Sequence, residues 1–72
     1  MSIKLLSPAP GQVLKIFVKQ GDRVTEETVV LLLEAMKMEN AIYAPSSGVV
    51  EEIKVREGEE VETDDVMLLV GC

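Results

Sequence analysis

Few residues of this chain could do chemistry. It contains no histidine and a single cysteine, Cys72, at its last position. No Ser/His or Cys/His pair can therefore be assembled, no internal disulfide can form, and the common zinc ligand sets are missing. No glycine-rich loop of the phosphate-cradling kind is written in it. Glu57, Glu59, Glu60, Glu62, Asp64 and Asp65 crowd one stretch, but such a run reads first as a solvated acidic face around a turn. A lysine amine is a nucleophile once deprotonated, yet most lysines are exposed and idle. Lys37, in the run Glu34-Ala35-Met36-Lys37-Met38, is set apart by where it stands in the chain as a whole.

That position emerges from an internal repeat. Shifted by 37 residues, the sequence falls on itself without a gap. Pro8, Gly11, Val13, Ile16 and Val18 meet Pro45, Gly48, Val50, Ile53 and Val55; Gly21, Val24, Val29, Leu31 and Leu32 meet Gly58, Val61, Val66, Leu68 and Leu69. With Met1 on Met38, these are 11 identities between two 35-residue units, 1–35 and 38–72. The matches are mostly Gly, Pro and apolar residues, the types that fix turns and cores, so shared composition is a poor explanation.

Each unit reads as β. Short Val/Ile/Leu runs are separated by Gly or Pro at strand-and-turn intervals. The expected strands are 2–6, 12–19, 29–35, 38–43, 49–56 and 66–70, with shorter pieces around Val24 and Val61. Gly21-Asp22 and Gly58-Glu59 mark equivalent turns, where glycine tolerates positive φ. The three-residue step from Val13 to Ile16, repeated from Val50 to Ile53, breaks a period of two and calls for a bulge or bend. VVLLLEAMKM carries helix-forming residues, but its counterpart VMLLV stops at Gly71, and the repeat favours strand in both. The expected fold is all-β: a flattened barrel or sandwich of about eight strands in two halves related by a pseudo-two-fold axis, forming one domain over residues 1–72. The expected core is Val13, Ile16, Val18, Val24, Val29, Leu31, Leu33 and Ile42 with Val50, Ile53, Val55, Val61, Val66, Leu68 and Val70. Met67 is a further core filler.

Only Met36 and Lys37 lie outside the two units. Tight two-residue hairpin loops favour Asn-Gly, Asp-Gly or Gly-X because they need positive φ, and Met-Lys serves that need badly. Local turn chemistry at odds with the global pattern is where function concentrates. By the same symmetry the chain termini occupy the equivalent position, at the opposite end of the domain.

On these residues the chain resembles the biotinyl domains of biotin-dependent carboxylases, decarboxylases and transcarboxylases, within the biotinyl/lipoyl attachment superfamily. The similarity runs through APGQVLKIFVKQGDRV, LLLEAMKMEN and IYAPSSGVVEEIKVREGEEV. It implies that Lys37, the lysine of A-M-K-M, is the attachment point of covalent biotin. It also implies that Glu34, Ala35, Met36 and Met38 are read with it by a biotin-protein ligase. Lys37 Nζ would attack the activated biotinyl carboxylate of biotinyl-AMP to form an amide. Biotin carboxylase and carboxyltransferase subunits would then be visited in turn by the loaded arm. The halves align without insertion, so the protruding segment of some bacterial acetyl-CoA carboxylase carriers is missing. The resemblance makes the chain a non-catalytic carrier. Its nearest alternative is a lipoyl carrier of the same fold, where Asp-Lys-Ala is usual in place of Met-Lys-Met, and a second is an unmodified structural or adaptor domain.

Composition fits that reading. A net charge of −6, with one Phe, one Tyr and no Trp, argues against a nucleic-acid surface, which needs clustered cations and stacking platforms. The longest apolar run, Val29 to Leu33, is far short of the ~20 residues that cross a bilayer, and the first ten residues do not read as a secretion signal. A cytoplasmic location is expected.

Overall fold

Apolar β-formers and glycine-marked turns build the strands. The computed structural model describes residues 1–72, and contains eight strands and no helix: β1 (Ser2–Leu6), β2 (Gly11–Ile16), β3 (Arg23–Val24), β4 (Val29–Ala35), β5 (Met38–Tyr43), β6 (Gly48–Ile53), β7 (Glu60–Val61) and β8 (Val66–Gly71). They form two four-stranded antiparallel sheets, ordered β1-β8-β6-β3 and β5-β4-β2-β7. Each sheet takes two strands from either side of Lys37, and neither closes into a full barrel. The run Val29–Ala35 is strand throughout.

Hydrogen bonds recur at an offset of 37. The Gly21 N–H donates to the Val50 carbonyl at 2.8 Å and the Gly58 N–H to Val13 at 2.6 Å; in return Val50 donates to Asp22 and Val13 to Glu59, both at 2.8 Å. These bonds lengthen the β3-β6 and β2-β7 pairings, and so tie the two halves of the chain to one another within each sheet. Turns are closed the same way, with the Lys19 N–H on the Asp22 carboxylate and the Arg56 N–H on the Glu59 carboxylate, each 3.0 Å. Gly21 and Gly58 take φ of 94° and 91°, the left-handed values their place in the sequence led us to expect. The acidic stretch is exposed, and three of its carboxylates accept backbone N–H bonds: Glu57 from Ile16, Glu59 from Arg56 and Asp65 from Glu62.

The core comprises Leu5, Val13, Val24, Val30, Leu31, Leu33, Ala35, Ala44, Val50, Val55, Val61, Met67, Leu68 and Val70. Ile16, Val18, Ile42 and Ile53 pack against it while partly exposed. Val29 and Val66 are only half-buried, and their neighbours Val30 and Met67 take the interior places. Bulges explain the change of phase. Pairing passes from Val29–Tyr43 to Leu31–Ile42, skipping Val30, and from Leu6–Val66 to Leu5–Leu68, skipping Met67. An extra residue in a strand lets two successive side chains face inward. The step between Val13 and Ile16 holds a bulge at Leu14, and the step between Val50 and Ile53 one at Glu51. β2 and β6 end at Ile16 and Ile53, three residues before the expected limits. Phe17 and Lys54 each keep one bond, to Val30 and Met67, as the chain turns away.

Gly11 and Gly48 are points of close backbone approach. A Cβ on Gly11 would overlap the Glu34 carbonyl oxygen, and one on Gly48 that of Gly71. Main chain cannot give way as a side-chain end can. Gly11→Ala is therefore expected to destabilise the fold by about 1–3 kcal/mol, the usual range for overpacking. Thermal melts check this, at roughly 4–8 °C per kcal/mol for a domain of this size.

Candidate functional site

β4 and β5 stay paired to their last residues, Ala35 opposite Met38. Two residues remain to reverse the chain, and both take left-handed values: φ is 56° at Met36 and 64° at Lys37. Positive φ at both central positions is the signature of a type I′ hairpin turn, whose twist matches that of paired strands. Glycine or asparagine would adopt it at little cost, whereas other side chains pay roughly 1–2 kcal/mol each in this region. Met36 and Lys37 thus hold the turn against local preference.

The turn puts Lys37 in solvent. Its ammonium makes no hydrogen bond and no ion pair; the one salt bridge of the chain joins Lys54 to Glu52 at 3.6 Å. Met36 is 88% exposed and Met38 65%. These are large apolar side chains beside a free amine, in a place where packing asks for nothing. Ala35, only 8% exposed, roots the hairpin in the core. Glu34 is exposed and directly opposite Glu39. Like charges facing each other across strands are destabilising, so this pair is not there for stability. The five residues singled out in sequence, Glu34 to Met38, are brought together by one hairpin, with Ala35 turned inward and the others outward.

Two supports of the hairpin were not singled out. The Asn40 amide donates from Nδ2 to the carbonyls of Leu33 at 3.3 Å and Met38 at 3.2 Å, bracing the two strands just below the turn. Its counterpart in the repeat is the apolar Ile3, and that break in symmetry was the available signal. Gly11 is the other, since its missing side chain lets β2 lie close under Glu34 and Ala35.

The site stands far from the chain ends. Ser2 pairs with Gly71, and the Cys72 N–H bonds the Met1 carbonyl at 3.0 Å. β6 begins beside Gly71, and β3 pairs with that beginning. β4, following β3, then carries the chain along the molecule to Lys37. The long axis is 32 Å, against 18 and 17 Å for the others. No cavity opens on the surface, and no group of three or more His, Cys, Asp or Glu side chains is placed to hold a metal ion.

Known proteins similar to this chain include a biotin carrier and carboxylases. The chain is 53% identical over 38 residues to a biotin carboxyl carrier protein of Streptococcus mutans, an alignment covering 53% of this chain and 29% of the relative. It is also 53% identical over 38 residues to the large subunit of a 2-oxoglutarate carboxylase from Hydrogenobacter thermophilus, covering 53% of this chain and 6% of that one. The chain thus spans less than a third of either relative's length. Among solved structures, the urea carboxylase of Kluyveromyces lactis superposes with a TM-score of 0.91 at 31% identity, over 99% of this chain and 6% of that protein. A family model described as biotin-requiring enzyme matches residues 3–70, and since that is nearly the whole fold, the chain belongs to this family.

Proposed function

We propose that this chain is a biotin carboxyl carrier, that Lys37 bears the biotin in amide linkage at Nζ, and that residues 1–72 act as one carrier unit built from 1–35 and 38–72 about the junction 36–37. The observation that carries the reading is the amine itself: solvent-exposed, free of any ion pair, and at the apex of a turn that strand pairing fixes. Family membership over residues 3–70 supports the choice of biotin.

Such an amine fits covalent attachment. Acylation consumes the positive charge of Lys37, and no salt bridge has to be broken for it. The reacting form is the neutral amine, whose lone pair attacks the carboxyl carbon of biotinyl-AMP, breaking the acyl–phosphate bond and expelling AMP, and whose proton passes to solvent or to a base on the ligase. Recognition by a biotin-protein ligase rests on Glu34, Met36 and Met38, which are open to contact, and on Ala35, which acts by anchoring the strand from inside. When bound, biotin supplies a ureido nitrogen on which a carboxyl group is carried. The chain contributes position: a hairpin rigid enough to keep the arm clear of the body, and an effective concentration at partner sites that free diffusion does not give. Biotin carboxylase and carboxyltransferase subunits are the partners this role requires, and the cytoplasm is where we place it. No helix is long and apolar enough to cross a membrane.

Lys37→Arg tests the assignment, because it keeps a long cationic side chain but offers no amine that can be deprotonated near neutral pH. Incubated with biotin, ATP and a biotin-protein ligase, the parent chain is expected to become streptavidin-reactive, and the variant to give no signal while its β circular dichroism is unchanged. Labelling of the variant through Lys4, Lys15, Lys19 or Lys54 would refute the site.

The turn gives a second test. Replacing Met36-Lys37 by Asn-Gly relieves both left-handed penalties, offset in part by the larger backbone entropy that glycine loses on folding, and is expected to raise stability by about 1–3 kcal/mol while abolishing labelling. A destabilised variant in thermal melts would show that the native pair supports the fold.

A further inference from the structure

The geometry points to a second functional surface, on the outer face of the β5-β4-β2-β7 sheet, that docks an apolar site rimmed by Lys or Arg on another protein of the carboxylase assembly. The inference rests on the carrier reading but uses none of the hairpin residues. Its starting point is the aromatic residues. The chain has one Phe and one Tyr, side chains that would bury large apolar areas in a core this small. Neither does. Phe17 is 49% exposed and Tyr43 51%.

Both stand at the same end of one sheet. Tyr43 is in register with Val29 on β4, and Phe17 donates its N–H to the neighbouring Val30 carbonyl at 2.8 Å. The next row across the three strands is Ala41, Leu32 and Lys15. Ala41 is exposed and Leu32 half-buried, so the row continues the apolar face toward the hairpin on β5 and β4, and the exposed Lys15 bounds it on β2.

The repeat provides an internal control on the same backbone. At the offset of 37, Phe17 becomes Lys54, Ala41 becomes Lys4 and Lys15 becomes Glu52. On that sheet Lys54 and Glu52 form the 3.6 Å ion pair, and Lys54 keeps the backbone bond that Phe17 keeps, to Met67 at 2.8 Å. The fold therefore accepts a charged outer face at these positions. Nothing in strand pairing or core packing asks for the aromatic one. Aromatic side chains held at a surface without a structural reason are the kind that dominate protein interfaces.

Charge selects the occupant. Glu34 and Glu39 lie in the row between the apolar face and the hairpin, and Glu26 and Glu27 lie in the turn that leads into β4, four acids against the exposed Lys15 on β2 and Lys19 beyond Phe17. With a net charge of −6, this frame repels an anionic membrane or a nucleic acid, and would set acid against acid in a self-complex. It complements a protein surface that offers an apolar centre and cations around it. The patch is also far smaller than the roughly 20–30 residues a side of a standard stable interface. That size suits a contact made and broken in each cycle.

The test is a titration of the ¹⁵N-labelled chain with the biotin carboxylase subunit and, separately, the carboxyltransferase subunit from the same organism. At least one subunit is expected to shift or broaden the amides of Phe17, Val29, Leu32 and Tyr43, with affinity falling as salt is raised. Phe17→Lys, which installs the residue that its counterpart already carries, is expected to weaken that binding at least about tenfold. Leu6→Lys on the other sheet is expected to leave it unchanged. Perturbations confined to residues 34–39, none with either subunit, or parent-like binding by Phe17→Lys would overturn the proposal. Biotin labelling of Lys37 in the same variants keeps the two readings apart: a normally labelled Phe17→Lys that also docks normally sinks the surface alone, whereas an unlabelled parent sinks the carrier.

Discussion

Everything at the hairpin follows from β4 and β5 remaining paired down to Ala35 and Met38, which leaves two residues to turn the chain. A reversal that short between twisted strands demands left-handed backbone, and Met36 and Lys37 accept it at φ of 56° and 64°. The penalty is met by the ladder below: the Asn40 amide bridges to Leu33 and Met38, Gly11 lets β2 close up beneath, and Ala35 is sunk in the core. A strained turn on a well-determined base is how a protein presents one side chain without building a pocket around it.

The duplicated architecture supplies the rest of the geometry. The end of β8 corresponds to the end of β4, so the chain termini occupy the place that the hairpin occupies in the other half. Amine and termini are therefore separated by the long axis of the molecule, and any covalent connection to further polypeptide would leave from the end remote from Lys37. Stability in so small a chain comes from regularity, with backbone bonds tying each sheet to strands of both halves and fourteen apolar residues between them. The symmetry is broken where function would break it. Lys37 has no counterpart within either unit, Asn40 faces an apolar equivalent, and the outer face with Phe17 differs from the one with Lys54.

Much of this was legible in the residues. The glycines at 21 and 58 announced their turns, and the three-residue steps at Val13 and Val50 announced bulges. The equivalence of VVLLLEA with VMLLVGC argued for strand over helix, and the strand is there. Interior phase was less legible. Val29 to Leu33 is apolar at every position, so no polar residue marks which side faces out, and a bulge at Val30 reverses the alternation at its start. Strand ends were overestimated at Val18 and Val55 because both residues still touch the core after pairing has stopped. The hairpin was found from its place between the repeats. Its braces were not, because a side-chain amide bonding backbone carbonyls leaves no periodic trace.

The carrier role stands on one amine, so the decisive measurement is intact mass with peptide mapping of the unaltered chain after exposure to biotin, ATP and a biotin-protein ligase. The expected result is a single biotinyl adduct, mapped to Lys37, with the other lysines unmodified. An adduct on another lysine, a lipoyl mass where the chain is taken from its native cells, or no adduct under conditions that label a known carrier would contradict it.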